Sequence, residues 1–267
     1  MNTNVNLDAA LGVLAFVGSC ALLFVICLLA AHAFFKRRAG RLKAMLIAAF
    51  GLVLIYLGLM LAFSFMSRER LMASGEEKYF CEIDCHLAYS VIDVLRTKTV
   101  GAPEHQAAAK GIFYLVTVRT RFDEQTTGAA RGDAPLTPNS RVLTVEDAQG
   151  RSYAPSPEGM RALELSASGG TGISSPLRPG QSYTTTFVFD LPEQMKSPAL
   201  LINEGELITH FVIGHENSPL HRKALFSLDE GKKQEAAASS GRLGHKLGSH
   251  LKGVVNAILR RLRDTFH

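Results

Sequence analysis

Cys81, Cys85 and His86, in the stretch YFCEIDCHLAYS at 79–90, are the residues of this chain whose types and spacing could do chemistry. Two thiols and an imidazole so close together allow several outcomes. Together the three offer soft and imidazole ligands suited to copper or zinc, with His210, His215 or His221 as a source for a fourth. If Cys85 and His86 both lay on a strand, however, they would point to opposite faces. A c-type haem normally uses C-x-x-C-H, and here the spacing has one residue too many. A redox-active pair needs an electropositive surrounding that lowers a thiol pKa, and nothing nearby marks one. A structural disulfide needs Cα atoms within roughly 7 Å, whereas residues four apart on a continuous strand are ~13 Å apart. A bridge therefore requires 82–84 to turn. The compartment decides among these outcomes, so the membrane comes first.

Residues 9–35 and 44–66 contain no Asp, Glu, Lys or Arg. A hydrocarbon core of ~30 Å takes about 20 apolar residues in helix, and both runs qualify. A soluble helix of that length would carry a polar stripe. A cleaved signal peptide is the rival for the first run, but MNTNVNLD has no basic residue and no small-x-small site follows the run. We expect two retained transmembrane helices with a cytoplasmic loop at 36–43, because Lys36, Arg37, Arg38, Arg41 and Lys43 lie between them and the N-terminal tail, 1–8, has no Lys or Arg. Gly51 and Gly58, two turns apart, are candidates for close approach of the two arms. Cys20 and Cys27 fall inside the first run as apolar filler.

This topology places Cys81 and Cys85 outside the cytoplasm, where structural disulfides persist. We read them as a small disulfide loop at the entrance to the soluble domain. The copper- or zinc-binding, or thiol-redox, use of Cys81, Cys85 and His86 is the alternative.

The net charge is +5. The 36–43 loop carries five positive charges and the 241–267 tail a net five, so the remainder is mildly acidic at minus five. That excludes a general nucleic-acid footprint.

After the linker at 67–77, residues 78–228 read as short strands separated by Gly, Pro, Asn and Ser clusters. The clearest is 111–122, with Tyr114, Val116, Val118 and Phe122 on one face. A strand over 86–94 carries a phase slip near Val91 and Ile92 that suggests a bulge. Residues 141–154 read as a hairpin in which Asp147 turns its own backbone and Gly150 closes the turn. Residues 182–191 alternate, and 199–202 and 210–213 supply further strands. Long polar loops are expected at 123–140 and 155–176. His215 and His221 bracket a loop read as solvated surface, and Asp123, Glu124, Asp147 and Asp190 are read as solvated charges. Some seven strands without a βαβ rhythm predict two packed antiparallel sheets.

Four phrases carry a resemblance: G-I-F-Y-L-V-T-V at 111–118, V-E-D-A-Q-G-R-S-Y at 145–153, L-R-P-G at 177–180 and F-V-F-D-L-P at 187–192. In order, they resemble the central strand, the D-x-x-G-x-x-Y hairpin, the P-G turn and the F-x-F-D-x-P strand end of a family of telokin-like, immunoglobulin-fold domains of unknown function. These are found on bacterial lipoproteins and membrane-anchored surface proteins. The resemblance covers about 78–228 and implies an immunoglobulin-like β-sandwich on the outside of a bacterial inner membrane. It implies no catalytic residues, and Cys81 and Cys85 are not part of its pattern.

A polar linker at 229–241 precedes a basic amphipathic helix predicted over 242–267. Leu243, Leu247, Leu251, Val255, Ile258 and Leu262 recur at helical spacing, and Arg260, Arg261 and Arg263 fall elsewhere around it. It is a candidate contact to lipid, to an envelope protein, or to a second copy. No G-x-S-x-G, H-E-x-x-H, P-loop or Rossmann glycine pattern occurs. The expected molecule is a two-helix transmembrane hairpin, an all-β immunoglobulin-like antiparallel sandwich on the periplasmic side, and a C-terminal amphipathic helix. It is expected to bind rather than catalyse, with the bilayer as partner, no cofactor and no nucleic acid.

Overall fold

The computed structural model describes residues 2–81, 85–128, 131–166 and 168–229. The predicted helix at 242–267, with its apolar and arginine positions, lies outside them, as does 82–84. The described elements are β1 (Asn2–Thr3), α1 (Ala9–Phe35), α2 (Ala39–Met66), β2 (Arg70–Met72), β3 (Lys78–Phe80), β4 (Leu87–Val100), β5 (Ala107–Phe122), β6 (Arg141–Glu146), β7 (Ser152–Tyr153), α3 (Pro157–Leu165), β8 (Ser182–Leu191), β9 (Ala199–Glu204) and β10 (Ala224–Ser227).

Helices α1 and α2 have 27 and 28 residues, with mean hydropathies of 2.8 and 2.6, and both are long and apolar enough to cross a membrane. At 1.5 Å per residue each is about 40 Å long. Asp8 caps α1, its Oδ1 accepting from Ala10 N at 3.1 Å and Leu11 N at 3.3 Å. Gly51 and Gly58 do not serve as close-approach points, because a Cβ at either would meet none of the described residues within 4 Å. The tight approach is at Gly12, where a Cβ would lie 2.7 Å from the Ile213 carbonyl oxygen.

The β domain has two five-stranded sheets, ordered β1-β3-β4-β5-β8 and β2-β10-β9-β6-β7. One apolar core draws on both: Phe80, Tyr89, Val116, Phe122 and Phe189 from the first, Met72, Val145, Leu200, Ile202 and Phe226 from the second. The expected inward face of β5 is buried, from Tyr114 to Phe122. The pairing of β4 with β5 shifts register between Val91 and Asp93, a bulge at Ile92. At the β6–β7 turn, Asp147 Oδ1 accepts from the backbone N–H of Gln149 and Arg151, both at 2.9 Å, and Gly150 has φ +76°.

Several expectations are corrected. The sheets are mixed, because β1 pairs parallel with β3 and β2 parallel with β10. These two strands lie in the segments 1–8 and 67–77, expected as a tail and a linker. They flank the helix pair, so they enter the sheets from helix ends rather than from hairpin turns. The loop expected over 155–176 contains α3. Ser156 Oγ accepts from Gly159 N at 3.2 Å, and Pro157 occupies the first turn. α3 lays Ala162 and Leu163 on Val100, Phe113 and Val188. The strand expected over 210–213 is instead the end of a 3-10 turn, Leu207–Phe211, whose Leu207, Ile208 and Phe211 are exposed.

Candidate functional site

Cys81 and Cys85 are joined in a disulfide, with Cα atoms 4.2 Å apart. His86 is engaged elsewhere. Its ring stacks on Phe122 with centroids 5.4 Å apart, and its Nδ1 lies 2.6 Å from Thr126 Oγ1. Among the described residues no group of three or more His, Cys, Asp or Glu side chains is placed to hold a metal ion.

The chemistry concentrated in this domain is a buried charge cluster. Lys78 and Phe80 alternate inward on β3, so an ammonium enters the core. Lys78 Nζ donates to Glu216 Oε1 at 2.7 Å, to the Ile202 carbonyl at 2.8 Å and to the Ala224 carbonyl at 3.4 Å, which uses all three of its protons. Arg141, from the start of β6, sets its guanidinium 4.4 Å from the Phe80 ring centre and 4.0 Å from Glu204 Oε1. Glu204 also accepts from Asn4 Nδ2 at 2.8 Å, and its Oε2 lies 3.2 Å from His215 Nε2. Asn4 Oδ1 in turn accepts from Cys81 N at 2.9 Å, which ties the disulfide to the N-terminal segment. Burial pushes the Lys78 ammonium down and the Glu216 carboxyl up, and each partner's charge opposes that shift. The first half of the loop read as solvated surface is therefore interior, with His215 and Glu216 only 4% and 2% exposed, while Pro219 and Leu220 are exposed. The counter-charge of Glu216, Lys78, arrives from a strand 138 residues away in sequence, whereas the His215 partner Glu204 ends the nearby β9.

Beside this cluster, at the end of α2, is a cavity of about 340 Å³. Asn4, Arg68, Arg70, Glu216, His221 and Arg222 are among its lining residues. A second, mostly apolar cavity of about 200 Å³ lies between Val13 and Phe16 of α1 and Ile208 and Val212, with Glu204 and His215 also lining it.

On the first sheet, Arg121 grips Glu77 with two hydrogen bonds of 2.8 and 2.7 Å, and Tyr79 Oη donates to Asp123 Oδ2 at 2.6 Å. The Arg121 hydrogen bonds hold the Glu77 carboxyl below its usual value, and the Tyr79 hydrogen bond does the same for Asp123. Asp123 and Asp147, expected as solvated, are 6% and 8% exposed, because turn backbone and a neighbouring arginine satisfy each carboxylate.

No family model matches the chain, and no curated protein matches it. Among solved structures it is similar to a conserved hypothetical protein from Bacillus anthracis (12% identity over 44% of this chain and 82% of that one, TM-score 0.33). It is also similar to the secreted protein MPT63 from Mycobacterium tuberculosis (13% identity, 60% and 98%, TM-score 0.35). A third is the yjhA protein from Bacillus subtilis (16% identity, 60% and 100%, TM-score 0.36).

Proposed function

We propose that this chain is a non-catalytic interaction module of the bacterial envelope. An immunoglobulin-like sandwich is held on the outer face of the inner membrane by a double-pass helix hairpin. The observation that carries the reading is that β1 and β2, the segments immediately flanking the helix pair, belong one to each sheet. Both helices thus leave and re-enter the same domain, and the basic 36–43 loop sits at the far end, where the positive-inside rule puts the cytoplasm. Helices about 40 Å long exceed a ~30 Å hydrocarbon core. The surplus of ~10 Å is the part on which Val212 and Ile213 dock at Gly12. Exposed Leu207, Ile208 and Phe211 then rest at the edge of the lipid. The cysteine pair acts as a fastener for the entry to β4, not as a thiol reagent.

Two measurements test this. Protease added to intact spheroplasts is expected to cut the β domain while the 36–43 loop survives. Cutting of the domain only after lysis would overturn the orientation. A Cys85→Ala variant, which leaves Cys81 as a trapping thiol, is expected to collect no mixed-disulfide partner in cells. Accumulation of defined adducts would favour the thiol-redox alternative.

A further inference from the structure

At one end of the helix pair only residues 36–38 separate α1 from α2. At the other end the helices lead to β1 and β2, which belong to different sheets. Between the helices, on the domain side, is a cavity of about 180 Å³. Phe16, Cys20 and Leu23 of α1 line it, with Val53, Tyr56 and Met60 of α2. Steps of three and four residues keep each set on one helix face. Phe211, from the 3-10 turn, is the lining residue that the β domain contributes. No lining residue carries a charge, and the Tyr56 hydroxyl is spent on the Phe211 carbonyl. Cys20, Val53 and Phe211 are exposed, so these walls are reachable from outside.

The chemistry of the walls limits the occupant. An apolar cavity of about 150 Å³ stays dry and takes a hydrocarbon guest instead of water. Left empty, its walls lose the dispersion contacts of close packing. One turn of helix, about 10–12 Å across and ~5.4 Å tall, is too large for it. What fits is a slim hydrocarbon. The depth agrees: at 1.5 Å per residue, Phe16 to Leu23 and Met60 to Val53 lie roughly 10–20 Å from the domain ends of their helices. With about 10 Å of each helix outside the hydrocarbon core, the cavity lies at the level of the first acyl carbons.

We infer that this cavity holds one acyl chain of a phospholipid from the leaflet next to the β domain. The chain is seated on three sides, by α1, α2 and Phe211. Lipid elsewhere around the helix pair touches one side only and exchanges freely. The absence of charge among the lining residues makes the chain, not the headgroup, the recognised part. The bound chain packs the helix pair against the turn that Tyr56 holds. The lipid source rests on the membrane seating proposed above.

The test uses the full-length protein, extracted and washed in a steroid-based detergent, which has no alkyl chain to compete. Native mass spectrometry then counts retained phospholipid. The unmodified protein is expected to keep one molecule. Phosphatidylethanolamine, phosphatidylglycerol and phosphatidylcholine of equal chain length are expected to be kept within about threefold of one another. Cys20→Phe and Val53→Phe each fill the cavity from an exposed position and are expected to lower retention by at least about tenfold, the effect of losing the burial of only two methylenes. Cys27→Phe adds the same bulk at an exposed position outside the lining and is expected to retain lipid normally. The proposal is overturned by an unmodified protein that keeps no phospholipid, by filling variants that keep it as well as the unmodified protein does, or by equal loss in Cys27→Phe. A tenfold headgroup preference that survives Cys20→Phe would also overturn it. Carbonate extraction of membranes runs in parallel. A protein released by carbonate that still keeps the phospholipid refutes the seating and leaves the site. An embedded protein that keeps none loses the site and leaves the seating.

Discussion

Asn4 and Glu204 are joined across 200 residues of sequence by a 2.8 Å hydrogen bond in the interior of the domain. Asn4 also accepts from Cys81 N, and its backbone carbonyl accepts from Glu216 N at 2.9 Å. The segment before α1 is therefore a structural part of the β domain, and cleavage after α1 would remove it. Asn4→Ala orphans the Cys81 N–H and takes the amide donor away from Glu204 Oε1, at about 1–3 kcal/mol for each group left unsatisfied. A lower urea midpoint with unchanged slope is expected. Asn4→Asp is expected to be worse at neutral pH, because it sets a second carboxylate against Glu204, and to recover partly in acid. An unchanged midpoint for both variants would mean that the N-terminal segment is not seated in the core.

The Lys78–Glu216 pair has side chains 0% and 2% exposed, so it is not a surface ion pair of small worth. Removing one partner leaves a charge buried in apolar surroundings, which costs about 3–5 kcal/mol. Lys78→Met and Glu216→Gln are therefore each expected to be severely destabilising. The double variant is expected to lie closer to the original protein than the sum of the singles predicts. Strict additivity in denaturant titrations would show that the two side chains do not interact.

The same cluster explains where sequence reading stops. Apolar runs without a charge, the alternation of Tyr114, Val116 and Val118, and the Asp147–Gly150 turn are local signals, and the fold uses each of them. Lys78 is different. Alternation alone puts it on the face of Phe80, but its residue type argues for solvent. Only Glu216, 138 residues on, reverses that preference. Strands β1 and β2, of two and three residues, have no period of their own and exist because β3 and β10 pair with them. α3 did announce itself: Ser156-Pro157-Glu158 is a helix start, masked by the polar residues around a nine-residue element. The alternation through His210–Ile213 misled, because its apolar residues serve the helix pair rather than a sheet.

Stability is expected to fall in acid in two separable steps. Glu77 and Asp123 have folded pKa values below their unfolded ones, so their contribution is complete above about pH 5 and is lost as pH falls through the folded values. Arg121→Gln removes the hydrogen bonds that hold Glu77 down and one of those on Asp123, whose main one comes from Tyr79, and is expected to flatten that limb in part. Burial pushes the His221 imidazole down, so the unfolded chain binds its proton more readily. That loss begins as pH drops below about 6.5, and His221→Gln is expected to abolish it. Thermal midpoints between pH 3 and 8 separate the two steps. A single transition unchanged in both variants would contradict the assignment.

Gly12 separates the two ways in which the helix pair could be held. A Cβ there would sit 2.7 Å from the Ile213 carbonyl oxygen and 3.0 Å from Val212 Cγ1, and the first of these is backbone that has no rotamer to escape to. Among the described residues nothing lies within 4 Å of a Cβ at Gly51 or Gly58. Gly12→Val is therefore expected to force α1 away from the 212–213 segment, lowering stability by about 1–3 kcal/mol in the manner of an overpacked core. Tyr56 Oη, which donates to the Phe211 carbonyl at 2.5 Å, would be strained with it. Gly51→Ala and Gly58→Ala are expected to be neutral or stabilising, since each replaces a poor helix former by a good one without a clash. Thermal midpoints of the detergent-solubilised full-length variants give the order directly. If the mid-helix alanines damaged the protein as much as Gly12→Val, the helices would be held by their own small-residue face, and the 207–213 segment would not be what clamps them to the domain.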